Sequence, residues 1–145
     1  MPSFMRKINI IGRCAGMYRT DKFDGIGLRG CHHSYILSLC RHPGMSQDQL
    51  AKHIYINKSN VTRHLSQLEK EGFVERRQSE EDKRVTLVYP TEKAYAVQEK
   101  VVEVIREWNS YLTEDFTEEE LALFNSMLDR ITLRATEAVK KEFAD

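Results

Sequence analysis

Apolar residues recur along this chain at helical spacing, interrupted once by a short stretch that alternates instead. Ile8, Ile11, Ala15 and Tyr18 lie at offsets 0, 3, 7 and 10, a stripe that predicts a helix over residues 5–20. With so little chain before it, this helix is expected to pack on something distant, such as a partner subunit. Three glycines and two aspartates in Asp21–Gly30 mark a loop. A second helix is predicted from about Arg29 to Arg41, with Ile36, Leu39 and Cys40 inward. His42-Pro43-Gly44 stops it.

Ser46 and Gln49 then form a Ser-x-x-Gln capping box that opens a third helix. Leu50, small Ala51 and Ile54 make its inner face, and Ala51 lets a crossing helix come close. After Tyr55-Ile56, Asn57 caps the next helix. Val61, Leu65 and Leu68 form its apolar stripe, which leaves Lys58, Ser59, Thr62, Arg63 and Gln67 on the opposite face. Gly72 ends that helix and Phe73-Val74 begins a strand. Val85, Leu87 and Tyr89 alternate with Thr86 and Val88 as the returning strand, which Pro90 terminates.

A long helix is predicted from Thr91 to Leu112, with Ala94, Val97, Val101, Val104, Ile105, Trp108 and Leu112 inward. Thr113–Phe116 breaks it, and Thr117 with Glu120 forms a second capping box. The last helix runs to about Phe143 through Leu121, Phe124, Leu128, Ile131, Ala135 and Val139. These elements make a mainly α fold with a small β-hairpin, one domain over residues 1–145.

Composition changes this picture in one respect. Across 145 residues the net charge is zero, yet the two parts of the chain disagree. Residues 1–90 hold 15 basic and 9 acidic side chains, net +6, and residues 91–145 hold 7 and 13, net −6. A basic binding part joined to an acidic scaffold has this footprint. No apolar run approaches the ~20 residues that span a bilayer, and Arg13 cuts Ile8–Ile11 below signal-peptide length, so a cytoplasmic protein is expected. Cys14, Cys31 and Cys40 are an odd number without metal-site spacing, so no disulfide framework is expected.

The polar face of the fourth helix suits a DNA major groove, which admits one helix and presents a distinct donor–acceptor pattern for each base pair. Arg63 fits paired hydrogen bonds to guanine, and the Thr62 methyl fits thymine. Ser59 and Asn60 suit phosphate or base edges, and Ser46 and Gln47, at a helix start, suit phosphate. Arg84, at the hairpin tip, is long enough for a narrow minor groove, with Lys83 on the backbone beside it. Asp82 is expected to order the hairpin by pairing with Arg76 or Arg77.

The run from Ser46 to Thr91 resembles the winged helix-turn-helix of MarR-type transcriptional regulators. The matching pieces are SQDQLA, NKSNVTRHLSQLEKEGFVERR and the D-x-R element Asp82-Lys83-Arg84, and the resemblance extends over nearly the whole chain. It implies a winged helix-turn-helix part over 29–90, with the helix-turn-helix at 46–71 and the wing at 73–89. It also implies dimerisation helices at 5–20 and 91–143, a homodimer on a pseudo-palindromic double-stranded operator, and repression released by a small molecule or oxidant. Tyr55 departs from the pattern, since many such turns have glycine there and a bulky residue tolerates φ > 0 poorly.

Sensing chemistry is less marked. The resemblance places a peroxide-sensing cysteine in the first helix of some members, where Cys14 lies, but mid-helix cysteine is usually inert packing. Cys31-His32-His33 does not suggest a metal, because adjacent histidines on one helix diverge by ~100°. No cofactor is expected. Arg19, His32, His33 and Tyr35 lie near the junction where the family's effector pocket would receive an anionic aromatic compound. A winged-helix protein-interaction module without DNA binding is the main competing class; catalysis is not expected, because no phosphate loop, Ser-His-Asp spacing or HExxH signature is present.

Overall fold

The structure, a computed structural model, describes residues 3–140. In chain order it contains α1 (Phe4–Lys22), α2 (His33–Arg41), β1 (Met45–Ser46), α3 (Gln47–Ile54) and α4 (Lys58–Lys70). β2 (Val74–Gln78), β3 (Thr86–Pro90), α5 (Glu92–Leu112) and α6 (Glu118–Val139) follow. The mainly α fold with a small β-wing is the expected one; the predicted helix end at Phe143 lies outside the described residues.

Local signals placed most boundaries. The Ser46 hydroxyl accepts from Gln49 N at 3.0 Å while Ser46 N donates to Gln49 Oε1 at 3.0 Å, the predicted box. Asn57 Oδ1 accepts from Asn60 N at 2.8 Å and so caps α4. Thr117 and Glu120 reproduce the box at α6. Tyr55 ends α3 at φ 55°, ψ 46°, the one non-glycine with positive φ among the described residues. The turn therefore keeps its left-handed geometry without glycine, at a conformational cost of roughly 1–2 kcal/mol.

The second helix starts later than expected. Gly30–His32 is a 3-10 turn, and α2 begins at His33. A side chain at Gly30 would meet the Thr20 hydroxyl and lie 2.8 Å from Thr20 N and 2.9 Å from Gly16 O. The turn thus sits directly on the α1 backbone, and its Gly30 carbonyl is engaged by the Arg19 and His33 side chains. A strand was also missed. β1 pairs antiparallel with β3, Met45 opposite Val88, giving the sheet order β1-β3-β2. Two residues carry no alternation to read.

The contacts divide the chain into two compact units, Met1–Trp108 and Asn109–Asp145. In the first, one core joins Phe23, Ile36, Leu39, Leu50, Leu65 and Val101 with their neighbours. The predicted faces of α3 and α4 supply it, with Val61, Leu65 and Leu68 all buried. On α1 only Ala15 of the predicted stripe is buried. Tyr18 stacks on Trp108 with centroids 4.7 Å apart, while Ile8 and Ile11 face solvent. In the second unit Phe116 meets the Phe124 ring edge-on, yet no α6 residue is buried. Leu112, expected inward, is also exposed.

Candidate nucleic-acid interface

The exposed face of α4 is centred on Ser59, Thr62 and Ser66, with Lys58 and Arg63 on its flanks. This follows from the sequence, since the apolar stripe at i, i+4 and i+7 turns these positions outward. Each group is held by a light local bond. Thr62 Oγ1 donates to Lys58 O at 3.0 Å, Ser59 Oγ to Asn57 Oδ1 at 2.9 Å, and Ser66 Oγ to Thr62 O at 2.9 Å. Arg63 Nη2 donates to Asn60 Oδ1 at 2.7 Å, so Asn60 supports the guanidinium from below. Lys58 Nζ lies 3.4 Å from Asp48 at the start of α3.

Gln67 stands apart from this face. It is half-buried, and its amide donates to Glu71 Oε1 at 2.6 Å. Ser66 takes the outward position that sequence reasoning assigned to Gln67. Helical spacing alone would have found it.

Arg76 and Arg77 also differ from expectation. Neither pairs with Asp82. Arg76 Nη2 lies 3.0 Å from Glu69 Oε1, the Arg76 amide donates to Glu69 Oε2 at 2.9 Å, and Nη2 also reaches Ser66 Oγ at 3.1 Å. Gln47 completes the bracket, accepting from Arg76 Nη1 at 3.4 Å and donating to Thr62 Oγ1 at 3.4 Å. Strand β2 is thereby tied to both helices of the helix-turn-helix. The hydrogen bonds from Arg76 hold the Glu69 carboxyl below the usual carboxylate range. Arg77 instead pairs with Glu75 at 3.1 Å and lies over the Tyr89 ring.

At the wing tip Asp82 binds Arg84. Its two oxygens accept from Arg84 Nε and Nη2 at 3.0 Å each, and Oδ1 also accepts from the Arg84 amide at 3.0 Å. The reason is chain geometry. Val85 N donates to Asp82 O in a tight turn, which brings residues 82 and 84 together and leaves Arg76 and Arg77 far down the ladder. The Arg84 side chain is 89% exposed. Gln78 Nε2 donates to Lys83 O at 2.7 Å, closing the tip from the other strand.

The expected effector residues form two groups. Arg19 Nε and His33 Nδ1 both donate to Gly30 O, at 2.8 and 3.2 Å. Burial, with the nearby Arg19 charge second, lowers the His33 pKa to about 4. His32 and Tyr35 are instead fully buried, so neither offers a surface to an anionic aromatic effector. They pack with His64 of α4, which sequence reasoning did not single out. His32 Nε2 and His64 Nδ1 are 2.9 Å apart, and the Tyr35 and His64 rings stack with centroids at 5.5 Å. Burial pushes Tyr35 up to about 12 and, ahead of the His64 charge, His32 down to about 4. Cys14 is half-buried, and burial raises the Cys40 thiol.

Among the described residues no helix is long and apolar enough to cross a membrane. The model of the MarR family matches residues 32–86. An uncharacterised HTH-type transcriptional regulator of Bacillus subtilis, YybA, is 28% identical over 135 residues, which is 90% of this chain and 87% of that protein. A crystal structure of MarR superposes with a TM-score of 0.84 at 27% identity, over 96% of this chain and 95% of the other. A cysteine-to-serine mutant of MarR from E. coli, complexed with operator DNA, matches with a TM-score of 0.79 at 21% identity. It covers 87% of this chain and 91% of its own, and at that identity the match is one of fold.

Proposed function

We propose that this chain, whose residues 32–86 match the MarR family model, is a DNA-binding transcriptional regulator of that type that reads a pseudo-palindromic duplex operator as a homodimer. The observation that carries this reading is the outward face of α4, with Ser59, Thr62, Arg63 and Ser66 free of apolar anchors and rimmed by Lys58. A protein-docking surface would instead expose apolar or aromatic side chains at its centre. Arg63 reads guanine, and Thr62 and Ser59 meet neighbouring base edges or phosphates. Arg84 and Lys83 extend the footprint from the wing tip. The Arg84–Asp82 pair is exposed and so adds little stability, and exchanging it for phosphate is correspondingly inexpensive.

Two-fold pairing is supported by the apolar side chains that the chain leaves uncovered. Phe4, Ile11 and Met17 on α1, and Leu123, Met127 and Leu133 on α6, are all exposed. A symmetric pair of reading heads matches half-sites about one helical turn apart. Repression follows if that operator overlaps a promoter. Release by an anionic effector would have to act through Arg19 and His33, the half-buried members of the expected set.

Selection from a random duplex library tests this reading. The expected product is an inverted repeat whose affinity falls steeply with salt. Enrichment of no duplex at low salt would overturn it.

A further inference from the structure

Cys31, His32 and His64 come from two separate parts of the chain, the 3-10 turn before α2 and the middle of α4. Cys31 Sγ lies 4.0 Å from His64 Nδ1, and His64 Nδ1 lies 2.9 Å from His32 Nε2. All three donor atoms fall within 4.8 Å of one another. We propose that these three side chains form a binding site for a divalent transition-metal ion of the zinc class, with a fourth position open to water.

The donor set fits that ion. One thiolate and two imidazoles are borderline-soft ligands, unlike the oxygen donors that calcium and magnesium require. A zinc ion sits ~2.0–2.1 Å from nitrogen and ~2.3 Å from sulfur, so tetrahedral ligands stand about 3.3–3.6 Å apart. The 2.9 and 4.0 Å separations bracket that range. Small rotations of the side chains close the difference, and Cys31 is exposed, which gives the ion an entry path. His64 is partly open as well.

His32 is fully buried, so its ring is held in place with Nε2 turned toward His64.

The Cys31 thiol loses its proton to solvent and becomes the thiolate ligand. The proton shared between the two rings moves to the outer nitrogen of whichever ring held it, freeing His32 Nε2 and His64 Nδ1 for the ion. No electron is transferred. An ion so held ties α4 to the turn before α2 at the residue next to Arg63. The site itself stands independently of the DNA reading, and its test uses no DNA.

The full chain is freed of metal with a chelator, kept reduced with a non-coordinating phosphine and titrated with Co²⁺ as the spectroscopic probe. The expected result is one ion per chain, with a thiolate-to-cobalt charge-transfer band and displacement of cobalt by Zn²⁺. Cys31→Ser should abolish the band, and His64→Gln should weaken cobalt binding by at least about tenfold. Both positions retain solvent exposure, and circular dichroism verifies that each variant is folded. A Cys14→Ser/Cys40→Ser variant should keep the band. Absence of a thiolate band in the parent protein, or its survival in folded Cys31→Ser, would overturn the site.

Discussion

Helices α4 and α6 begin alike and end differently. Each opens with a side-chain cap, Asn57 for α4 and Thr117 for α6, and each carries apolar residues at helical spacing. In α4 that stripe disappears into the core, where Leu65 and Leu68 are fully buried. In α6 nothing is buried, and Phe124 and Ile131 stay 38% and 40% exposed. An amphipathic stripe therefore states that a face needs covering without stating what covers it. The first unit of the chain covers α4 with its own residues. On the proposed two-fold pairing, a second copy of the chain supplies the surface that covers the α6 stripe.

Cutting into the α4 stripe should have the largest effect. Leu65→Ala removes a fully buried side chain and should cost about 2–5 kcal/mol of stability, measured by urea unfolding at fixed protein concentration. Charging the α6 stripe should act differently. Ile131→Asp combined with Leu133→Asp should convert a sedimenting dimer to monomer while helical content survives. The parent's unfolding midpoint should rise with protein concentration and the variant's should not. If the variant instead unfolds like Leu65→Ala, the contrast between the two helices is lost.

Smaller effects sharpen the comparison on the outward side of α4. Arg63→Ala should cost about 1–3 kcal/mol of discrimination at one operator position, read as relaxed sequence preference in a binding selection. Arg84→Ala should weaken binding evenly across sequences and reduce the salt slope by about one. The smallest effect concerns the bracket that holds the wing. Glu69 has a depressed pKa in the folded state, caused first by the Arg76 hydrogen bonds. Its contribution is therefore present above the ordinary glutamate range and lost as pH falls below it. Because the pair is partly exposed, the effect should be less than about 1 kcal/mol. Parent and Glu69→Gln should differ in urea midpoint near neutral pH and converge below about pH 4.

The features legible in advance share a short range. Ser46 with Gln49, Asn57 with Asn60 and Thr117 with Glu120 are three residues apart, so capping follows from local geometry. The α4 stripe and the wing strands were equally open to reading, since periodicity is a local property. What stayed hidden was pairing between side chains of distant elements. Asp82 was expected to pair with Arg76 or Arg77, but both are engaged by other carboxylates, and the turn at Val85 gave it Arg84 instead. Glu69 gave no signal as the partner of Arg76, because helix α4 and strand β2 have to dock before the two meet. His64 is the clearest case: on the sequence it is one polar residue in an amphipathic helix.

The sequence by itself determined the order of the elements, the caps that start them, and which face of α4 is polar. These depend on backbone sterics and on spacing within one or two helical turns. Only the tertiary structure decided that Gly30 lies against α1, that Met45-Ser46 becomes a strand, and that Cys31, His32 and His64 converge. Those outcomes depend on which surfaces pack together, and packing joins residues well apart along the chain, Gly30 with Thr20 and Cys31 with His64.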